Sequence, residues 1–402
     1  MATPKEPPHQ TQKLSFFEIF RIFLLLGCTS FGGPVAHLGY FREEFITRRK
    51  WLSDEDYADL IAFCQFLPGP ASSQVGMAIG LTKGGYRGMF AAWLGFTLPS
   101  ALLMFLFAFG VLSFGELGYS GWIAGLKAAT VAIVAHALGG MVSSLASSAK
   151  TATIAVAAMA LVFLVSGAWG QILAIVAGGV AGLLWLRREG PAIKPETLGH
   201  SAHMGVSLVN LIIFAVLLAV LPLAALYSAD IALLDSFYRS GSLVFGGGHV
   251  VLPLLQAEMV ESGLVGTDDF LAGYGLAQAV PGPLFTFASY LGVLAAPDKS
   301  AVTGSIIATV GIFLPSFFLV LGGLPLWNRF RALAVAQNAM MGINAAVVGL
   351  VAAVLYTPVF TATITGVMPF LIAVVSYLLL RYWKLPPWAL IMLAGIVGHF
   401  LL

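Results

Sequence analysis

Charge is what this 402-residue chain has least of. Asp, Glu, Lys and Arg make up 9% of it, against roughly 25% in an average soluble domain. Hydrophobic residues make up 59% and the mean hydropathy is +0.93. A water-soluble globule needs more polar surface than that, so the composition demands a membrane protein. The charges nearly cancel, with 20 Lys+Arg against 18 Asp+Glu. That excludes the basic stripe of a nucleic-acid binder. There are two cysteines, Cys28 and Cys64, in different segments and with no CxxC. A disulfide scaffold, a zinc site and an iron–sulfur centre are therefore not expected. No GxxxxGK[ST], dinucleotide fingerprint or HExxH occurs, so the chain carries no sign of a cofactor or of enzyme chemistry. ATP is then not the direct energy source unless a partner supplies it. Residues 1–14 are polar and Pro-rich without an apolar core, and read as a disordered cytoplasmic tail rather than a cleaved signal.

What is abundant is long apolar sequence. A bilayer span needs about 20 such residues. The stretches 87–116, 121–149, 203–230, 299–329 and 386–402 each hold one span. The run 150–187 holds two, split near Gly167 and Gly170. The run 331–381 holds two, which Pro358 is expected to divide. That makes nine spans. Two further regions are apolar but interrupted: 16–36, ending in Phe31-Gly32-Gly33-Pro34, and 56–82, broken by Pro68-Gly69-Pro70.

Both interrupted regions recur. Phe31-Gly32-Gly33 returns as Phe245-Gly246-Gly247, and Gln65-x-x-Pro68-Gly69-Pro70 as Gln278-x-x-Pro281-Gly282-Pro283. Asp56-Tyr57 returns as Asp269-Phe270, and Leu98-Pro99-Ser100 as Leu314-Pro315-Ser316. Gly125-x-Lys127-Ala128-Ala129 returns as Gly342-x-Asn344-Ala345-Ala346. Five motifs in one order at nearly constant offset indicate a duplication. The expected organisation is a repeat over 15–190, a linker with one transmembrane helix over 191–229, and a second repeat over 230–402. One extra span between halves with even numbers of crossings inverts the second half, a common transporter plan with the site between the halves.

Lys and Arg placement agrees with the inversion. Arg42, Arg48, Arg49 and Lys50 follow the first Phe-Gly-Gly, whereas the counterpart 254–269 has only acidic charge. Segment 113–120 has no Lys or Arg, whereas its counterpart has Arg329 and Arg331. With the N-terminus in the cytoplasm, the positive-inside rule is met in every loop except at Lys299 if 16–36 and 56–82 each dip in and return on the same side. Such backbone is tolerated at membrane depth only where protein or water covers it. The competing arrangement has thirteen crossings, with both segments spanning.

The breaks carry the chemistry. Pro70 suits the first turn of a helix, whose free N–H groups and the hydroxyls of Ser72 and Ser73 attract an anion. Thr286 and Ser289 are the counterparts after Pro283, and Gln65 and Gln278 add amides. Two such breaks in antiparallel halves make an oxygen-rich site with few full charges. The plain alternative is kinking for packing, and the Gly motifs also suit close helix approach. Lys127 within its span offsets part of an anion's charge or snorkels, and Asn344 is its neutral counterpart. His37, His136 and His249 are candidates for a proton or charge role. Arg21 and Arg239 share a helix face or anchor at the interface. Carboxylates deep in spans are nearly absent, so no carboxylate relay is visible.

FGGPVAH (31–37), FCQFLPGPASSQVGMAIG (63–80), FGGGHVVLP (245–253) and AQAVPGPLFTFASYLG (277–292) resemble the chromate ion transporter family, in its long two-domain form. The resemblance implies an all-α polytopic protein of the bacterial inner membrane with inverted repeats. It implies chromate efflux driven by the membrane potential or a proton gradient, with sulfate as a competing or alternative oxyanion. It implies transport roles for Phe31, Gly32, Gly33, Pro34, Pro68, Gly69 and Pro70. In the second copy Gly248 stands in place of the Pro, after Phe245, Gly246 and Gly247. The partners expected are the oxyanion and the bilayer, with no nucleic acid; a homodimer and a channel on the same scaffold stay open.

Overall fold

A computed structural model describes residues 14–114, 121–165, 167–187, 204–296, 300–327 and 333–402. The expectations for the tail before residue 14, for the linker at 188–203, and for Lys299, Arg329 and Arg331 fall outside the described residues. Every regular element among the described residues is helical. Six helices among the described residues are long and apolar enough to cross a bilayer, so the chain is an all-α polytopic membrane protein.

The elements come in two series joined by one helix. The first comprises α1 (Phe16–Thr29), α2 (Gly33–Arg42, prolonged by a π turn Glu43–Arg48), α3 (Asp54–Phe66), α4 (Ala71–Phe114), α5 (Gly121–Leu145), α6 (Ala149–Leu164) and α7 (Ala168–Trp185). The joining helix is α8 (Met204–Ala224). The second series comprises α9 (Ala229–Leu243), α10 (Val251–Leu255, between turns Gly248–Val250 and Gln256–Val260), α11 (Thr267–Ala279), α12 (Phe287–Leu294), α13 (Ala301–Gly323), α14 (Ala334–Val354, prolonged to Thr363), α15 (Val367–Arg381) and α16 (Pro387–Leu401). A helix is found in each of the nine expected spans. Three of them, α6, α15 and α16, have only 15 or 16 residues. At 1.5 Å per residue that is about 23–24 Å, short of a ~30 Å hydrocarbon core.

Local sequence sets the helix ends. Ser15 caps α1 in a capping box with Glu18, and Ser53 caps α3, whose first turn carries Asp54, Glu55 and Asp56. These acidic groups suit the positive end of a helix. Helix α4 is divided at Gly85, where φ is 63° and ψ −154°, so 71–84 and 86–114 are separate rods folded on each other. Pro358 is not the turn between two spans, which corrects the expectation. It lies inside the prolonged α14, where Thr357 is extended, and the chain reverses later, at 364–366. Gly366 supplies the extended residue that opens α15.

The two interrupted regions enter and leave on one face. The Leu14 N–H donates to the Lys83 carbonyl at 2.9 Å. The Lys83 ammonium lies 5.7 Å from the Trp51 ring centroid, and the Arg49 guanidinium 5.4 Å from it. The start of α1, the end of α2 and the far end of 71–84 therefore meet, so the two hairpins open toward one side of the bundle. Helices 86–114 and α13, which carry the two Leu-Pro-Ser motifs, run antiparallel. Phe90 packs on Phe317 and Trp93 on Phe313, while Ser289, bonded to Ser305, donates to the Ala101 carbonyl.

A second layer pairs α5 with α15 and α16, and α14 with α6 and α7. Its seams are made of small residues. A Cβ at Gly342 would run into the backbone of Gly178 and Gly182, and one at Gly398 into Gly121 and Gly125. Without a hydrophobic drive between helices in lipid, such close backbone approach supplies the attraction. Gly342→Leu is expected to destabilise by overpacking, by about 1–3 kcal/mol or more. Gly140→Leu, in open space on α5, should leave the melting temperature in detergent unchanged. Equal melting temperatures for the two variants would refute the seam.

Candidate functional site

Four broken tips meet inside the bundle, and their backbones are joined crosswise. The Gly69 N–H of the first Pro-Gly-Pro donates to the carbonyl of Val244, just before Phe245-Gly246-Gly247, at 2.7 Å. The Gly282 N–H of the second donates to the carbonyl of Ser30, just before Phe31-Gly32-Gly33, at 2.9 Å. Each tip thus satisfies a backbone group of the opposite series. The glycines carry left-handed angles in both copies: φ is 101° and 78° at Gly32 and Gly33, 75° and 141° at Gly246 and Gly247, 119° at Gly69 and 94° at Gly282. Residues with a Cβ are strained there.

The recurring Leu-Pro-Ser motif now has a role that spacing alone did not show. A Cβ at Gly69 would lie 2.7 Å from the Ser316 hydroxyl, and one at Gly282 would lie 2.8 Å from the Ser100 hydroxyl. Each serine backs the Pro-Gly-Pro of the other series. Gln74 plays a part that the motifs do not signal. Wholly buried, it donates from Nε2 to the Pro68 carbonyl at 2.7 Å and to Ser316 Oγ at 3.2 Å. Its counterpart is Phe287, so no repeat flagged it.

The expected site residues divide into groups. Phe31, Gly32, Gly33, Pro34, Phe245, Gly246, Gly247, Gly248, Gly69, Pro70, Gly282 and Pro283 all lie at the tips. Ser72, Ser73, Thr286 and Ser289 are buried just behind them. Ser72 Oγ is 3.3 Å from His37 Nδ1, while Ser73 Oγ, Ser30 Oγ and His37 Nε2 are buried without a protein partner. Thr286 donates to its own turn at Pro283, and Ser289 joins Ser305. Gln65, Gly32 and Gly247 are exposed in this interior region. The tip segments 28–38, 64–76, 243–253 and 278–290 contain no Asp, Glu, Lys or Arg.

Lys127 is elsewhere. Its ammonium is 2.5 Å from Asp268, at the first turn of α11 and about 20 Å of helix from Gly282. Asn344, its counterpart, does reach a tip: its Oδ1 would stand 3.3 Å from a Cβ at Gly246 and is buried without a partner. His249 Nδ1 is 2.9 Å from the Tyr274 hydroxyl, which also faces Gln278, and His136 lies near His249. Carboxylates are not absent below the surface. Arg239 donates to Asp235 at 2.8 Å and to Glu258 at 3.1 Å, all three largely buried. Glu258 looked like a loop residue because the π turn that carries it inward leaves no periodic signature. Arg21 is exposed.

Pro34 and Gly248, repeat counterparts of unlike type, touch. A Cβ at Gly248 would be 2.9 Å from Pro34 Cγ. Two prolines do not fit there, which accounts for the broken symmetry of the motif. Gly248→Val is expected to lower thermal stability, and Pro34→Gly to recover part of the loss. The double-mutant coupling should be about 0.5–3 kcal/mol; additive effects would refute the contact.

The chromate transporter family profile matches this chain twice, over residues 17–183 and 231–399. An uncharacterized transporter of Methanocaldococcus jannaschii is 27% identical, over 96% of this chain and 95% of its own. The chromate transport protein of Pseudomonas aeruginosa is 28% identical over 85% of this chain and 80% of its own. That of Cupriavidus metallidurans is 23% identical over 97% and 94%. No solved structure matches. With both interrupted regions and nearly all the spans inside the two matched segments, the chain belongs to the chromate transporter family.

Proposed function

We propose that the chain is a secondary transporter that exports chromate across the bacterial inner membrane, holding the oxyanion where the broken helices meet. In this reading 15–190 and 230–402 are inverted repeats and α8 is the span that flips the second. The antiparallel course of 86–114 and α13 and the crosswise Gly69–Val244 and Gly282–Ser30 bonds support it. The observation that carries the anion site is the composition of the tips. Helix starts, hydroxyls and the exposed Gln65 amide converge where no carboxylate repels a dianion. The Gly69 and Gly282 amides are already used, so Gln65, the Gly32–Gly33 and Gly247 backbone, and Ser72 and Ser73 remain as donors. His37, His136 and His249 are the groups able to move a proton with the anion. Sulfate, of like shape and charge, is the second reading, because nothing at the tips distinguishes it from chromate.

Everted vesicles taking up labelled chromate test the proposal. Gln65→Leu removes one hydrogen bond to an ion, about 1.5–3 kcal/mol, so uptake at low chromate should fall roughly 10- to 150-fold. Uptake equal to that of the parent would sink the site. Excess sulfate that abolishes uptake would favour the second reading, and uptake indifferent to collapse of the gradient would favour a channel. Orientation has its own check: Arg49→Cys should stay unlabelled by impermeant maleimide outside intact cells.

A further inference from the structure

We infer that the structure is open toward the face that carries Arg49 and Lys83, and that the Lys127–Asp268 ion pair latches the opposite face shut. This rests on the transporter reading above and adds its gate. Equal positions in the two series differ in exposure. In the first, one face of α3 is uncovered: Glu55, Ala58, Ala62 and Gln65 are all exposed. On α2 and its π turn, Gly32, Gly39, Tyr40, Glu43 and Thr47 are exposed as well. Spacings of three, four and three residues put the α3 set on a single stripe. Its Glu, Ala and Gln are unlike the Leu, Ile and Phe that helices 86–114 and α8 expose, such as Leu102, Leu106, Leu208 and Ile212. It is a wall for water, not for lipid.

The middle of the same stripes is covered in the second series, while Gly246, Asp268 and Gln278 are half-buried and Glu261, counterpart of Thr47, is exposed. Offsets of 213 and 214, read from the repeated motifs, carry Ala58, Ala62, Gly39 and Tyr40 onto Leu271, Gly275, Pro253 and Leu254. All four are buried. Helix α5 covers α11, with Thr130 and Leu126 against Gly275 and Lys127 clamped to Asp268. Gln171 of α7 donates to the Pro253 carbonyl at 2.7 Å, and Asn344 and Val347 of α14 stand over Gly246. One layer of helices is thus seated on one pair of hairpins and lifted from its counterpart.

The repeat says what the other state is. Helix α14 is the counterpart of α5, and α3 that of α11. Closing the open face seats α14 on the α3 stripe, with Asn344 toward Glu55, and releases α5 from α11. Lys127 meets Asp268 with opposite charges, whereas Asn344 brings only an amide to Glu55. The unequal pairs favour the state seen here. Lys127 and Asp268 are then gate residues that never touch the anion.

The test labels cysteines in a background with Cys28 and Cys64 replaced. Leu271→Cys, buried beneath the latch, should resist impermeant maleimide added from outside, and Lys127→Asn or Asp268→Asn should accelerate its labelling several-fold. Lys127→Asp combined with Asp268→Lys should restore protection. Linking Lys127→Cys to Asp268→Cys with a short bifunctional thiosulfonate should block chromate uptake until reductant is added. Labelling that ignores the latch variants, or full uptake by linked protein, overturns the inference. The labelling uses no substrate. Vesicles that never take up chromate but show the labelling change would therefore fail the proposed substrate and leave the gate standing.

Discussion

Unpaired backbone groups cost several kcal/mol each when buried away from water, and this fold stops four helices inside the bundle. The crosswise pair Gly69–Val244 and Gly282–Ser30 answers that cost. Each break is stabilised by the chain on the far side of the repeat, so neither series completes its own tips. The serines of the Leu-Pro-Ser motifs and the buried Gln74 reinforce the same exchange. A single series would expose these breaks to lipid, which gives a physical reason for both to be present. The rest of the architecture follows, because hairpins that end inside the bundle need an outer layer to screen them. The short helices α6, α15 and α16 belong to that layer, drawn close by glycine seams rather than by length.

Exact symmetry is impossible where counterparts meet. Pro34 and Gly248 occupy one spot from two directions, and only one of them can carry a ring. A departure that looks like decay of the motif in one copy is then a packing requirement of the pair. The same logic separates Lys127 from Asn344, which share a place in the sequence repeat but have different neighbours. Duplicated positions in this fold are free to differ wherever the two series touch unlike surfaces.

The sequence was most legible where it repeated. The helical runs, their recurrence and the Phe-Gly-Gly and Pro-Gly-Pro breaks are legible, because apolar run length and helix breakers each have a direct physical meaning. Depth and partnership were not visible. Lys127 reads as an ion inside a span, and nothing in its own helix reveals that Asp268 arrives from 141 residues away. Gln74 occurs in one copy only, and Glu258 is turned inward by a π turn. Pro358 marks a break but not the reversal, because a proline shows where a helix is disturbed, not where the chain turns.

These placements bear on how a dianion crosses an apolar bundle. A lysine at the proposed site would strengthen binding, but it would be left as an unpaired buried charge whenever the site emptied, and such charges are expensive. Amides and hydroxyls carry only partial charges, so the empty site is tolerable and the bound ion is not trapped. The tip segments contain no Asp, Glu, Lys or Arg, and the buried cations are paired with protein carboxylates, Lys127 with Asp268 and Arg239 with Asp235 and Glu258. Full charge holds helices in place, in pairs between protein groups. Partial charge is kept for the cargo, which must be let go.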